Sequence, residues 1–327
     1  MKRIFALGVL ALCLVLPVMA NGQGEAGTDE LIMASSNPPE SLISKMGQKF
    51  ADIVNESGVV KINLIVGQSL GDMNQVMEQH MEGSVDIAYD RPLWFGPFVQ
   101  DFNVMSWGFT FENKAHMQTF FDSDVYKGLT DQVLEKTNVR ILGSSVDLPR
   151  MLYTREPVQS IDDIQNLKMR VPRLESYVRL WEALGTKPTQ VAWSEAFLSL
   201  KTGVVDGIEA DIPGALVQRF HNAAPYITKT EHVMSGFFIS INDQSWQNLD
   251  DAQKKVIEEA SREALAWASE QSEKETAEAL AVMVEEGAIV SEIDKAAFIE
   301  KSIKEVEAME AAGVWSKGLW AEIQTLK

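Results

Sequence analysis

Five of the ten arginines in this 327-residue chain fall between positions 150 and 179: Arg150, Arg155, Arg170, Arg173 and Arg179. The chain as a whole carries a formal net charge of −18, so this is where an anion could be held. A guanidinium is a rigid planar fork that meets a carboxylate through two parallel hydrogen bonds. Arg170 stands out. It interrupts Leu167-Lys168-Met169-Arg170-Val171-Pro172, an apolar run whose alternation predicts a strand ended by Pro172. Arg150 also interrupts an apolar segment. Each has two readings, a ligand anchor or half of a structural ion pair, because buried arginines are usually paired. Arg173 and Arg179 are expected at solvent, and Arg155 in a surface turn.

Further polar residues sit at the ends of predicted strands. Asp90 and Arg91 follow Val85–Tyr89, and Glu209 and Asp211 follow Val204–Ile208. Open α/β sheets bind ligands outside the carboxyl ends of their strands. Trp193 follows Val191-Ala192 and offers either a flat face to a ligand or a core ring.

Catalytic signals are weak. The four histidines, His80, His116, His221 and His232, lack metal-ligand spacing. His80 lies on an apolar helical face and is expected to be a satisfied core histidine. No phosphate loop or nucleophile elbow is present, and no cofactor is expected. Gly67-Gln68-Ser69-Leu70-Gly71 reads as a strand-to-helix turn.

Two similar sets of elements must position these groups. In the first, strands over Leu31–Ala34, Val60–Val66 and Val85–Tyr89 alternate with helices over Ser41–Asn55 and Met73–Met81. In the second, strands over Met169–Val171, Thr189–Ala192 and Val204–Ile208 alternate with helices over Glu175–Leu184 and Ser194–Lys201. Gly83-Ser84-Val85-Asp86 and Gly203-Val204-Val205-Asp206 precede or open the third strand of each set, with a helix ending at the glycine. Asp250–Glu286 predicts one long helix, closed by Gly287, followed by helices over Lys295–Ala311 and Val314–Ile323.

The chain opens with a secretory leader pattern. Lys2 and Arg3 precede the apolar stretch Ile4–Val18, and Val18-Met19-Ala20 fits a cleavage site, so residues 1–20 are expected to be removed. Losing those two positive charges takes −18 to −20. Such a chain is expected to be monomeric and repelled by nucleic acid and anionic membranes. Cys13 is the only cysteine; Leu12 before it argues against lipidation, and the mature chain would hold no disulfide or thiolate zinc site.

Taken in order, these runs resemble the solute-binding proteins of TRAP transporters, the DctP-type family. The matching segments are Gly67–Gly71, Asp163–Pro172, Ala183-Leu184-Gly185, Ser194–Phe197 and, most tellingly, Lys201-Thr202-Gly203-Val204-Val205-Asp206-Gly207. The resemblance implies an α/β, two-lobed periplasmic-binding-protein fold with a ligand cleft between lobes. Crossing strands and a long C-terminal helix spanning both would join them. It implies lobe I over 29–148 plus about 237–277, and lobe II over 149–236 plus about 278–327. It also implies capture of a small organic acid whose carboxylate pairs with Arg170. Arg150, Trp193, Asp90 and Arg91 match other ligand-facing positions. The family's usual run after Gly207 is Gln-Glu-Asn-Pro, whereas here it is Ile208-Glu209-Ala210-Asp211. Asp211 therefore stands beside a missing amide and could accept hydrogen bonds from ligand hydroxyls or an amine. Arg91 argues against sialic acid. A sugar acid, or a dicarboxylate using Arg91 as well, fits the charge pattern.

The expectation is a periplasmic binding protein, not an enzyme, that hands its ligand to membrane permease subunits. The alternatives are a binding protein for an ABC importer or sensor and, less favoured, an exported hydrolase.

Overall fold

The computed structural model describes residues 30–327. The expected leader and Cys13 lie outside the described residues. Eleven strands run in chain order: β1 Glu30–Ser35, β2 Lys61–Val66, β3 Ile87–Asp90, β4 Val139–Val146, β5 Met151–Thr154, β6 Lys168–Val171, β7 Lys187–Gln190, β8 Gly207–Ala210, β9 Tyr226–Lys229, β10 Gly236–Asn242 and β11 Ile289–Glu292. They form two mixed sheets, ordered β2-β1-β3-β10-β4 and β11-β9-β5-β8-β6-β7. The fold is α/β and two-lobed, one sheet to each lobe.

Both repeated units exist. In the first, parallel β1, β2 and β3 alternate with helices Leu42–Ser57 and Met73–Glu82. Ser41 caps the first of these, its hydroxyl accepting from the Ser44 N–H at 3.1 Å, and Leu42, Ile43, Met46, Phe50 and Val54 are buried along one face. The second helix ends at Gly83, whose φ of 83° is a left-handed conformation that glycine adopts without strain. In the second unit, β6, β7 and β8 alternate with helices Glu175–Ala183 and Ala196–Lys201. The last of these strands starts later than expected, at Gly207. Val204 is exposed in the preceding turn, and Gly207 is where backbone must approach Leu167 and Thr154 closely.

Two passages tie the sheets together. One joins β4 to β5 through residues 147–150, and the other joins β9 to β10 through residues 230–235. They run side by side, the Asp147 N–H donating to the Ser235 carbonyl at 2.8 Å and the Arg150 N–H to the Val233 carbonyl at 2.9 Å. A single helix, Asp251–Glu285, forms the third tie. At 1.5 Å per residue it is roughly 50 Å long. Ile257, Ala260, Ala264, Leu265 and Ala268 are buried toward the first sheet, whereas Ala279 and Met283 join the core of the second. The small alanines allow this close packing without a continuous apolar stripe.

The expected helix over Lys295–Ala311 is two, Ala296–Lys304 and Val306–Ala311. The Ser302 carbonyl accepts the Trp107 indole N–H at 3.2 Å and the Glu305 N–H at 3.3 Å, an intrusion of the kind that interrupts a helix. The chain end contacts segments of both expected lobes. β11 pairs with β9 in the second sheet, but the segment beyond it is stitched to residues 101–116. Asp101 accepts from the Ser316 N–H at 2.6 Å, Asn103 donates to the Val314 carbonyl at 3.1 Å, and His116 Nε2 bonds the Ile323 carbonyl at 2.9 Å.

Candidate functional site

The carboxyl ends of β3, β6 and β8 converge on one cleft between the sheets. It encloses about 1100 Å³ of non-atom space, including its open mouth, and Arg170, Arg150, Trp193, Asp211, Asp90 and Arg91 all line it. Parallel pairing sets Arg170 of β6 beside Ile208 of β8. Antiparallel pairing sets Met151 opposite Ala210, so Arg150, just before β5, comes level with Asp211.

Arg170 is 2% exposed. Its Nε and Nη2 both donate to the Val191 carbonyl, and its guanidinium lies 5.5 Å from the centre of the Trp193 ring. Among the described residues no carboxylate lies within ion-pairing distance of it. Burial lowers its pKa to about 10, with the Arg150 charge adding and Glu209 opposing. Trp193 in turn rests edge-on against Phe220, with ring centres 5.1 Å apart and planes at 80°.

Arg150 is committed elsewhere. Its Nε and Nη2 grip both carboxylate oxygens of Glu209, and its Nη1 lies 3.7 Å from Asp211. Burial lowers the pKa of Arg150, but Glu209, Tyr177 and Asp211 together outweigh it and hold the group above its ordinary value. Arg91 is held between two acids, with Nη1 2.6 Å from Asp147 and Nη2 2.9 Å from Asp211. Asp211 also caps helix Ile212–Val217, accepting from the Gly214 N–H at 2.8 Å. Burial pushes Asp211 up, yet Arg91 and Arg150 prevail and hold it below the usual carboxylate range. Asp90 accepts from the Asn37 amide at 2.5 Å and from the Arg91 N–H at 2.7 Å. Burial raises its pKa to about 6, with Arg91 opposing.

Other cleft residues escaped sequence reading. Tyr177 lies on the apolar face of its helix and gave no distinguishing signal; its hydroxyl is buried without a partner. Asp147 sits in the crossing passage, and Asp72 and Arg173 face each other at the mouth at 3.4 Å. Arg173 is half-exposed as expected, but it reaches across to the first lobe. Arg179 pairs with Glu175 on its own helix, outside the cleft lining. His80 is a satisfied core histidine, bonded to the Val85 carbonyl and the Ser240 hydroxyl, both at 2.9 Å. Gly67–Gly71 forms a strand-to-helix turn. Among the described residues no group of three or more His, Cys, Asp or Glu is arranged to hold a metal, and no helix is long and apolar enough to cross a membrane.

A cleft lined by a buried arginine without an acid partner can accept an anion, and comparison with known proteins identifies the family. The family model for bacterial extracellular solute-binding proteins, family 7 (DctP), matches residues 33–312. The chain belongs to this family. It is similar to the sialic acid-binding periplasmic protein SiaP of Vibrio cholerae, 28% identical over 64% of this chain and 66% of that one. Among solved structures it resembles a TRAP periplasmic solute-binding protein from Chromohalobacter salexigens with bound D-glucuronate. That match has a TM-score of 0.86 and 27% identity over 91% of this chain and all of that one. A counterpart from Roseobacter denitrificans with bound β-D-glucuronate gives a TM-score of 0.86 and 26% identity, again over 91% of this chain and all of the other. The family's role is extracytoplasmic solute binding rather than catalysis, in service of TRAP transport.

Proposed function

We propose that this family 7 protein captures a sugar acid in its interlobe cleft and hands it to the membrane subunits of a TRAP-type secondary transporter. One observation carries the reading. Arg170 is a buried cation with no acid partner among the described residues, fixed in direction by the Val191 carbonyl and backed by Trp193. A buried charge without a partner is costly, and a ligand carboxylate relieves that cost with a two-point bond. The glucuronate complexes of similar proteins support a sugar acid, and the acids lining the cleft support a hydroxylated one.

On this reading the lobes are 29–148 plus about 237–277, and 149–236 plus about 278–327. The two side-by-side, antiparallel passages at 147–150 and 230–235 serve as the hinge. Arg91, Asp90, Asp211 and Arg150 surround the ligand, and the protein acts outside the cytoplasm as a monomer.

The test is a thermal-shift screen with D-glucuronate, D-galacturonate and related acids. A ligand at a hundred times its Kd adds about 2.7 kcal/mol of stability. The shift is expected to vanish in Arg170→Ala and to persist in Arg179→Ala. A shift undiminished by Arg170→Ala overturns the reading.

A further inference from the structure

We propose that the Arg91–Asp211 pair makes the cleft selective for acids carrying a single carboxylate and excludes those carrying two. The inference rests on the reading that Arg170 anchors a ligand carboxylate.

Four arginines line the cleft, and only Arg170 is without an acid partner among the described residues. Arg173 faces Asp72, Arg150 is gripped by Glu209, and Arg91 is shared between Asp147 and Asp211. The three deeply buried cations, Arg91, Arg150 and Arg170, already share this region with four buried acids, Asp90, Asp147, Glu209 and Asp211. The first ligand carboxylate meets Arg170. A second would have to displace Asp211 or Asp147 from Arg91, leaving a buried carboxylate without its cation. It would also face the remaining acids at close range, and like charges in a closed cleft are costly.

A hydroxyl at the same end meets the opposite reception. Asp90, Asp147 and Asp211 all line the cleft and accept hydrogen bonds. The acid responsible is Asp211, which pairs with Arg91 inside the cleft. Its side chain is placed by two independent bonds, to Arg91 at 2.9 Å and to the Gly214 N–H at 2.8 Å. It therefore holds position before any ligand arrives.

The test is titration calorimetry of the full mature chain with two matched pairs, D-galactonate against galactarate and D-gluconate against D-glucarate. Within each pair the only change is a terminal CH₂OH oxidised to carboxylate. The wild-type protein is expected to prefer the better-bound monocarboxylate by about 100-fold. Asp211→Asn keeps the helix cap, since Asn caps as well as Asp, but removes the charge that occupies Arg91. It is expected to shrink the preference at least tenfold, mainly by binding the aldarate more tightly. Asp147→Asn provides an independent second release of Arg91, with the same direction expected.

Wild-type binding of the aldarate within tenfold of its partner overturns the inference. So does an unchanged preference in folded Asp211→Asn and Asp147→Asn. Neither result touches Arg170 as the anchor. Monocarboxylate binding that survives Arg170→Ala, or binding of none of the four acids and of neither D-glucuronate nor D-galacturonate, instead overturns the reading on which the inference rests.

Discussion

Arg170 Nε and Nη2 converge on one acceptor, the Val191 carbonyl oxygen, at 3.0 and 2.7 Å. The guanidinium is thereby locked in plane while Nη1 keeps its donors for the cleft. Arg170→Lys tests the importance of this geometry, because an ammonium keeps the charge and loses the fork. Affinity for the captured acid is expected to fall at least about tenfold, the loss of roughly one charge-assisted hydrogen bond. Calorimetry giving equal affinity for Lys and Arg would show that charge alone suffices.

Asp72 and Arg173 face each other across the mouth at 3.4 Å, with Arg173 52% exposed in its side chain. So exposed a pair is worth at most about 1 kcal/mol. Breaking it with Arg173→Gln is expected to quicken ligand release up to about fivefold while leaving association nearly unchanged. The effect should fade at 1 M salt, where screening acts within about 3 Å. Stopped-flow release rates that do not change at low salt would deny the pair any part in holding the cleft closed.

The Arg150–Glu209 pair is fully buried, and its loss should register as stability. Glu209→Ala leaves the Arg150 charge without its main partner, at an expected cost of about 3–5 kcal/mol in denaturant unfolding. A change under about 1 kcal/mol would mean that Asp211 alone compensates Arg150.

Tyr177 buries a hydroxyl that has no hydrogen-bond partner among the described residues. Tyr177→Phe is expected to leave the melting temperature unchanged or slightly higher, yet to weaken the captured acid by about 1 kcal/mol if the hydroxyl reaches it. Calorimetry and melting of the same variant separate the two effects.

Asp90 predicts a pH dependence. Its pKa rises from 3.8 to about 6 on folding because it is buried, with Arg91 opposing the shift. The folded state therefore binds the proton more tightly. Its contribution is present below pH 3.8 and is lost as pH rises toward about 6, by roughly 3 kcal/mol at full shift. His80 acts oppositely: burial lowers its pKa from 6.5 to about 4, so stability falls as pH drops across that range. The difference in unfolding free energy between wild type and Asp90→Asn isolates the first effect. A flat difference between pH 4 and 6 would contradict it.

Much of this fold is legible in the sequence where local rules and burial agree. Ser41 and Asp72 cap helices whose apolar spacing announces them, Asp250 caps a long one announced by its lack of breakers, and Gly83 closes one. Arg170 is visible because a cation interrupts an apolar strand. What decides the rest is long-range. β10 is buried throughout and lies between strands that end ninety residues or more before it begins. The partners of Arg91 and Arg150 depend on register between distant strands, so local sequence cannot tell a free arginine from a paired one. Arg173 is a surface residue by local pattern, and only the facing of the two sheets brings Asp72 to it.

The placement of β10 also bears on biogenesis. A nascent chain that has not reached residue 236 has no strand to fill the gap between β3 and β4, and both present open edges. The first sheet cannot close until synthesis passes residue 242, some three-quarters of the way along the chain. The first sheet therefore stays incomplete during most of the chain's elongation. The same arrangement makes any truncation before residue 242 an aggregation hazard rather than a smaller working lobe.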